Sequence, residues 1–186
     1  MAKRRFNGSL TGGTGDVNPQ WLNLGAGAVS NAATWAEASA SIPLDEFNTS
    51  MNKTVMEILK VQFIITGTTT VSVGANGSTR MYLSTTSWAA AEPTLLQQTG
   101  RVICKNSVQH IYIGTSTGGS SEELEKIIDI TDGVGHGILV AVDTLYVGVI
   151  GTASSGLSGG NVSARILYRW KKIGLTEWIG MNQSQK

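Results

Sequence analysis

Ile127-Ile-Asp-Ile130, the turn Thr131-Asp-Gly-Val-Gly-His-Gly137, Ile138-Leu-Val-Ala-Val142, Leu145-Tyr-Val-Gly-Val-Ile150 and Val162-Ser-Ala-Arg-Ile-Leu-Tyr-Arg-Trp-Lys-Lys-Ile173 follow one another with Gly, Ser and Asp breaks between them. Short runs of β-branched and aromatic residues bounded by such breaks are strands. Gly133, Gly135 and Gly137 suit a tight strand connection, where positive φ is needed. A chain that spends this much of its length on strands and loops, without a cluster of reactive side chains, reads as a binding or building unit.

The pattern continues upstream. Val55–Thr66 is a strand, with Leu59, Val61, Phe63 and Ile65 on one face and Lys60 and Gln62 on the other. Residues 33–42 form a first strand, Ala33, Trp35 and Ser39 alternating weakly with Ala36, Ala38 and Ile42. Thr69–Val73 and Arg80–Thr85 flank Gly74-Ala-Asn-Gly-Ser78, whose Asn76-Gly77 predicts a hairpin turn. Arg101–Lys105 and His110–Thr115 are strands, and Ala89–Gln98 holds one short helix with Pro93 in its first turn. Ser120-Ser-Glu-Glu123 has the capping-box pattern, yet Leu124–Ile130 alternates better as a strand. Eight or nine strands with almost no helix make an all-β sandwich or barrel. The absence of an internal repeat disfavours propellers and β-helices.

The length of 186 residues suits one domain that buries its own core. Cys104 is the sole cysteine, which excludes an intrachain disulfide and a cysteine-based zinc site. Its strand-like flanks predict a half-buried, inert thiol. Met1-Ala-Lys-Arg-Arg5 is not followed by the apolar segment of a signal peptide. The apolar runs are far shorter than the roughly 20 residues that span a bilayer, so no membrane partner is expected. Charged residues make up 15% of the chain, against about a quarter ordinarily. Either other copies of the chain cover much of the surface, or a Ser/Thr/Gly/Asn-rich surface is simply wetted. The net charge of +1 is unevenly spread: Lys3, Arg4 and Arg5 at one end, Arg165, Arg169, Lys171 and Lys172 near the other, and the acids Glu122, Glu123 and Glu125 between them.

Reactive constellations are sparse. His136, with Asp129 and Asp143 nearby, sketches a metal or acid/base site, but its glycine-rich loop offers nothing to orient the imidazole. No nucleophile motif, zinc motif or phosphate loop occurs, so neither catalysis nor a metal or other cofactor is expected. The basic strand near the C-terminus is more suggestive. Arg165, Leu167, Arg169 and Lys171 share one face, and Ala164, Ile166, Tyr168 and Trp170 share the other. The cations recur at about 7 Å per two-residue step. They form either a solvated outer face or, with Lys3, Arg4 and Arg5, a set of phosphate contacts that reads no sequence. Trp88 and Trp178 are candidates for subunit interfaces, where aromatics concentrate, with core burial the equal alternative.

Several segments in order carry a family resemblance. Thr11-Gly-Gly-Thr-Gly-Asp-Val-Asn-Pro-Gln20, Val55-Met-Glu-Ile-Leu-Lys60, Thr131 through Asp143, Ile166-Leu-Tyr-Arg-Trp170, Thr176-Glu-Trp-Ile-Gly180 and Gln183-Ser-Gln185 resemble the coat proteins of small circular Rep-encoding single-stranded DNA (CRESS-DNA) viruses. The resemblance implies a single-domain eight-stranded jelly-roll sandwich over residues 21–180, with a basic, Gly-rich arm at 1–20 and a tail at 181–186. It further implies a structural, non-enzymatic capsid protein that self-assembles into a T=1 icosahedral shell of about 60 copies. On the same resemblance the shell is expected to enclose a single-stranded DNA genome, which would place the chain in the virion and, during assembly, inside the host cell. Many such coats open on a long Arg-rich arm, whereas this chain offers three cations there. The alternative function is that of a soluble carbohydrate- or protein-binding β-sandwich.

Overall fold

The computed structural model describes residues 19–28, 35–42, 52–66, 69–71, 76–88, 101–111, 118–120, 124–153 and 161–185. Two antiparallel sheets face each other. The first is built from β1 (Gln20–Ala28), β11 (Asn161–Gly174) and β3 (Asn52–Thr66). Two shorter strands, β8 (Leu124–Asp129) and β9 (Ile138–Val140), share the far edge of β3. The second sheet runs β2 (Trp35–Ser41), β10 (Thr144–Ala153), β5 (Asn76–Ser84) and β6 (Val102–Ile111). A small pairing of β4 (Thr69–Val71) with β7 (Gly118–Ser120) links the β3–β5 and β6–β8 connections. With β8 and β9 counted as one strand, and with β5 and β6 consecutive in the second sheet, this order is that of an eight-stranded jelly-roll sandwich.

The core is the set of inward-facing residues that alternation supplies. Phe63, Ile58, Ile65, Met81, Leu83, Leu145, Ile166 and Ala164 are essentially inaccessible and pack in one cluster between the sheets. Cys104 belongs to that cluster, and burial pushes its thiol up to about 12, so it stays protonated and inert as its flanks predict.

β3 departs from simple alternation. Lys60 pairs with Leu167 and Ile58 with Tyr168, which leaves Leu59 as an extra residue in a β-bulge. The bulge changes the phase of the strand. Met56 and Ile58 join Val61, Phe63 and Ile65 in the core, while Glu57, Lys60 and Gln62 face outward. The expected grouping of Leu59 with Val61 is therefore corrected.

Other expectations are corrected by pairing partners. Asn76 and Gly77 form no hairpin with β4. They lie inside β5, opposite Ile111 and His110 of β6, because pairing on both sides of β5 outweighs a local turn preference. The two strands expected at Arg101–Lys105 and His110–Thr115 are one, since Asn106 to Gln109 continue the ladder against Met81 to Ser78. The expected helix at 89–98 and the residues of the 1–20 arm before Pro19 lie outside the described residues. Residues 181–185 of the expected tail lie in a helix, α1 (Leu175–Gln185).

That helix docks against the first sheet. Trp178 and Met181 pack on a second, smaller cluster of Val55, Ala141 and Ile173. Its polar side chains reach the backbone beside β9. Gln185 donates from Nε2 to Leu139 O at 2.7 Å and accepts at Oε1 from Ala141 N at 2.8 Å. Asn182 Nδ2 donates to Ala141 O at 2.9 Å. The side-chain amide of Gln185 thus stands in for a neighbouring strand and blunts the exposed edge of β9.

β8 and β9 form a strand with a seven-residue excursion. Asp129 pairs with Lys60, Ile130 N donates to Leu59 O at 3.1 Å, and Ile138 resumes the ladder at Ile58. Residues 131–137 loop out between them. Gly133 and Gly135 take the expected positive φ, at 82° and 95°. Gly137 is a glycine for a different reason: a Cβ there would collide with the carbonyl oxygen of Ile58. Gly137→Ala is expected to destabilise the fold by about 1–3 kcal/mol through forced backbone displacement, read as a lower urea midpoint at unchanged slope. Gly25→Ala, where a Cβ meets nothing within 4 Å, serves as the control and should shift the midpoint far less.

Candidate nucleic-acid interface

The outward face of the first sheet gathers the polar residues that alternation expels from the core. The alternation of β11 holds along its length: Val162, Ala164 and Ile166 are buried inward, with Tyr168 and Trp170 against the core edge-to-face at 5.3 Å. Arg165, Leu167, Arg169 and Lys171 consequently face outward, as the sequence predicts. The structure then divides the three cations into two groups.

Arg169 and Lys171 converge on Glu57. The Glu57 carboxylate lies directly across the ladder from Arg169 and has no exposed surface. Arg169 Nε donates to Glu57 Oε2 at 2.5 Å, and Lys171 Nζ stands 3.6 Å from Oε1. Gly137 N also donates to Oε1, at 3.1 Å. Nη2 of the Arg169 guanidinium donates to Gly135 O at 3.0 Å. One carboxylate therefore ties β3, β11 and the 131–137 loop together. Burial works to raise the Glu57 carboxyl. The hydrogen bonds from Arg169 and Gly137 and the charges of Arg169 and Lys171 outweigh it, holding the group below the ordinary carboxylate value.

Arg165 is placed differently. Its guanidinium lies over the Trp21 ring of β1 at 4.9 Å from the centroid, and Trp21 is 43% exposed. Asn23 and Gln62 flank Arg165 on either side of the ladder, and Lys60 lies opposite Leu167. Lys3, Arg4 and Arg5 lie outside the described residues.

The 131–137 loop closes on Asp132. Asp132 Oδ1 accepts from Val134 N at 2.9 Å and His136 N at 3.0 Å, Oδ2 meets His136 Nδ1 at 2.9 Å, and Asp132 N donates to His136 O at 2.9 Å. The backbone and side-chain hydrogen bonds of His136, helped by Val134, lower Asp132 to about 2. Asp129 is held low in the same way by Thr131, whose amide and hydroxyl donate to it at 3.0 and 2.7 Å. Among the described residues no group of three His, Cys, Asp or Glu side chains is arranged to hold a metal.

The two tryptophans expected at interfaces are half-buried within the chain. Trp178 packs on Val55, Ala141 and Ile173, and Lys53 Nζ sits 5.2 Å above its ring. Trp88 follows β5, and its backbone N donates to Glu37 Oε2 at 2.8 Å, next to the bond from Ser87 to Glu37 Oε1. Both indole Nε1 atoms are buried without a hydrogen-bond partner among the described residues.

Sequence reasoning missed Glu57 and Trp21. The signal for Glu57 was a lone carboxylate in the apolar run Val55–Leu59, which demands a cation wherever it is buried. Trp21 carried no comparable signal, because its neighbour across the ladder is set only by the register of β1 on β11.

No protein-family model and no curated protein matches the chain. Solved structures do match its fold. The VP1 pentamer of human polyomavirus 6 superposes with a TM-score of 0.52 at 8% identity, covering 84% of this chain and 95% of that one. The unassembled VP1 pentamer of KI polyomavirus gives a TM-score of 0.50 at 10% identity, covering 84% and 95%. The chain thus has the jelly-roll sandwich of these viral capsid proteins.

Glu57→Ala is expected to cost about 2–3 kcal/mol, less than the 3–5 of a fully buried pair because Arg169 is partly exposed. The pH dependence has a definite sign. The folded value of Glu57 lies below its ordinary 4.5, so its contribution is present above about pH 4.5 and is lost as pH falls through the lower, folded value. Urea titrations at pH 7 and pH 3 should show the wild type losing more stability on acidification than Glu57→Gln. Equal losses would mean that this carboxylate is not what acid attacks.

Proposed function

We propose that this chain is a viral coat subunit, a non-enzymatic jelly-roll protein that self-assembles into a small closed shell around a single-stranded DNA genome. The observation that carries the reading is the strand order β1-β11-β3-β8 facing β2-β10-β5-β6, spread over most of the chain and superposable on capsid proteins whose structures are pentamers. The order of the CRESS-DNA-like sequence segments supports the single-stranded DNA class, the T=1 icosahedral shell of about 60 copies, and a place in the virion after assembly inside the host cell. The low charged fraction of 15% suits a surface covered by neighbouring copies. In this reading Trp88 and Trp178, half-buried and with indole N–H groups that have no partner among the described residues, border subunit contacts. Phosphate contact falls first to Arg165, with Lys3, Arg4 and Arg5, while Glu57 offsets the share of Arg169 and Lys171.

The full chain, purified and examined by size exclusion and negative-stain microscopy, should give uniform round particles rather than a species of 19.6 kDa. A sharp monomer or dimer peak across a wide range of pH and ionic strength would refute the shell. It would return the chain to a soluble binding sandwich.

A further inference from the structure

We infer that the outward face of the first sheet carries a single-stranded nucleic-acid site centred on Trp21 and Arg165, a reading that rests on the proposed coat function. Trp21 is large, apolar and 43% exposed on a strand, where burial would be the ordinary outcome. The Arg165 guanidinium lies on its ring at 4.9 Å, which holds the cation in place without neutralising it. Among the described residues no carboxylate forms an ion pair with Arg165, in contrast to Arg169 and Lys171, which share Glu57.

The neighbours complete a binding surface. The ladder sets Asn23 and Gln62 beside Arg165, and Leu167 and Lys60 in the row of Trp21. The exposed amide of Asn23, two cations and an exposed indole within two rows match the needs of an unpaired strand. A base stacks on the ring, phosphates meet Arg165 and Lys60, and Asn23 is available to a base edge. Asp129, opposite Lys60, limits that lysine's contribution and makes Arg165 the principal phosphate contact. Duplex DNA cannot use the indole, because its bases are already stacked and paired.

Binding is tested on the full chain with a fluorescein-labelled oligothymidylate added before the subunits are brought to assembly conditions. A duplex of equal length is run in parallel, and particles are scored separately by microscopy. Trp21→Ala should weaken oligothymidylate binding roughly 5- to 150-fold and leave duplex binding unchanged, and Trp21→Phe should recover most of the loss. Arg165→Gln should flatten the slope of log affinity against log salt by about 0.7. Wild-type binding by Trp21→Ala would overturn the site, as would an equal loss for duplex and single strand. Loss of particles with oligothymidylate binding intact would overturn it too, since the ring would then be a subunit contact. If Trp21→Ala does not fold, Trp21→Phe and Arg165→Gln carry the test, and an unchanged salt slope in Arg165→Gln refutes it. Trp21-dependent binding in a protein that forms no particles would support the site while refuting the shell.

Discussion

A carboxylate with no exposed surface is tolerated only where cations and donors replace the water it has lost, and Glu57 meets that condition from three separate pieces of chain. It stands on β3, takes the guanidinium of β11 across the ladder, and receives the amide that ends the 131–137 loop. The outward face of the first sheet is arranged around this one group. The charges of Arg169 and Lys171 are drawn to it, and the loop is held down by the Arg169–Gly135 bond as well as by Gly137. Farther along β11, beyond the reach of Glu57, Arg165 rests on an aromatic ring instead of an acid. A strand that reads in sequence as a uniform basic stripe is thus electrostatically divided into a structural half and an available half.

That division could not be seen along one strand, because it depends on which residues face each other across the ladder. The bulge at Leu59 matters here. In a regular strand Glu57 and Lys60, three residues apart, would fall on opposite faces of β3; with the bulge, both look outward. Alternation, which fixes the face of each residue on β11 and β10 reliably, is interrupted in β3 at the point where the acid must be delivered to the basic row.

Much of the architecture was legible. β3 alternates cleanly only from Val61 to Ile65, the strands around Leu145 and Ile166 do so along their length, and the phase of β11 was read correctly from Ala164 to Trp170. The face of the basic residues followed from the same period. Other features were not legible, for identifiable reasons. Asn76-Gly77 is a strong local turn signal that loses to ladder pairing with β6 and β10. α1 has Gly180 in its interior and no fully buried residue, so no periodicity announces it. It is held by Trp178 on Val55 and Ile173 and by the amides of Asn182 and Gln185, partners remote in sequence. Trp21 and Glu57, the two residues that give the candidate site its character, acquire their meaning only from neighbours supplied by other strands.

The excursion between β8 and β9 has a consequence for how the surface can change over generations. Pairing with β3 is set on one side by Lys60 and Asp129 and on the other by Ile58 and Ile138, so the ladder does not measure the length of chain between them. The constraints on the intervening residues lie in Asp129, the Asp132–His136 bonds, the positive φ of Gly133 and Gly135, the Arg169–Gly135 bond and Gly137, whereas Val134 projects with 80% of its surface exposed. Val134 at the tip can change identity without disturbing the sandwich. Such a tip is a point of tolerance at the edge of the sheet, where sequence drift carries little structural penalty.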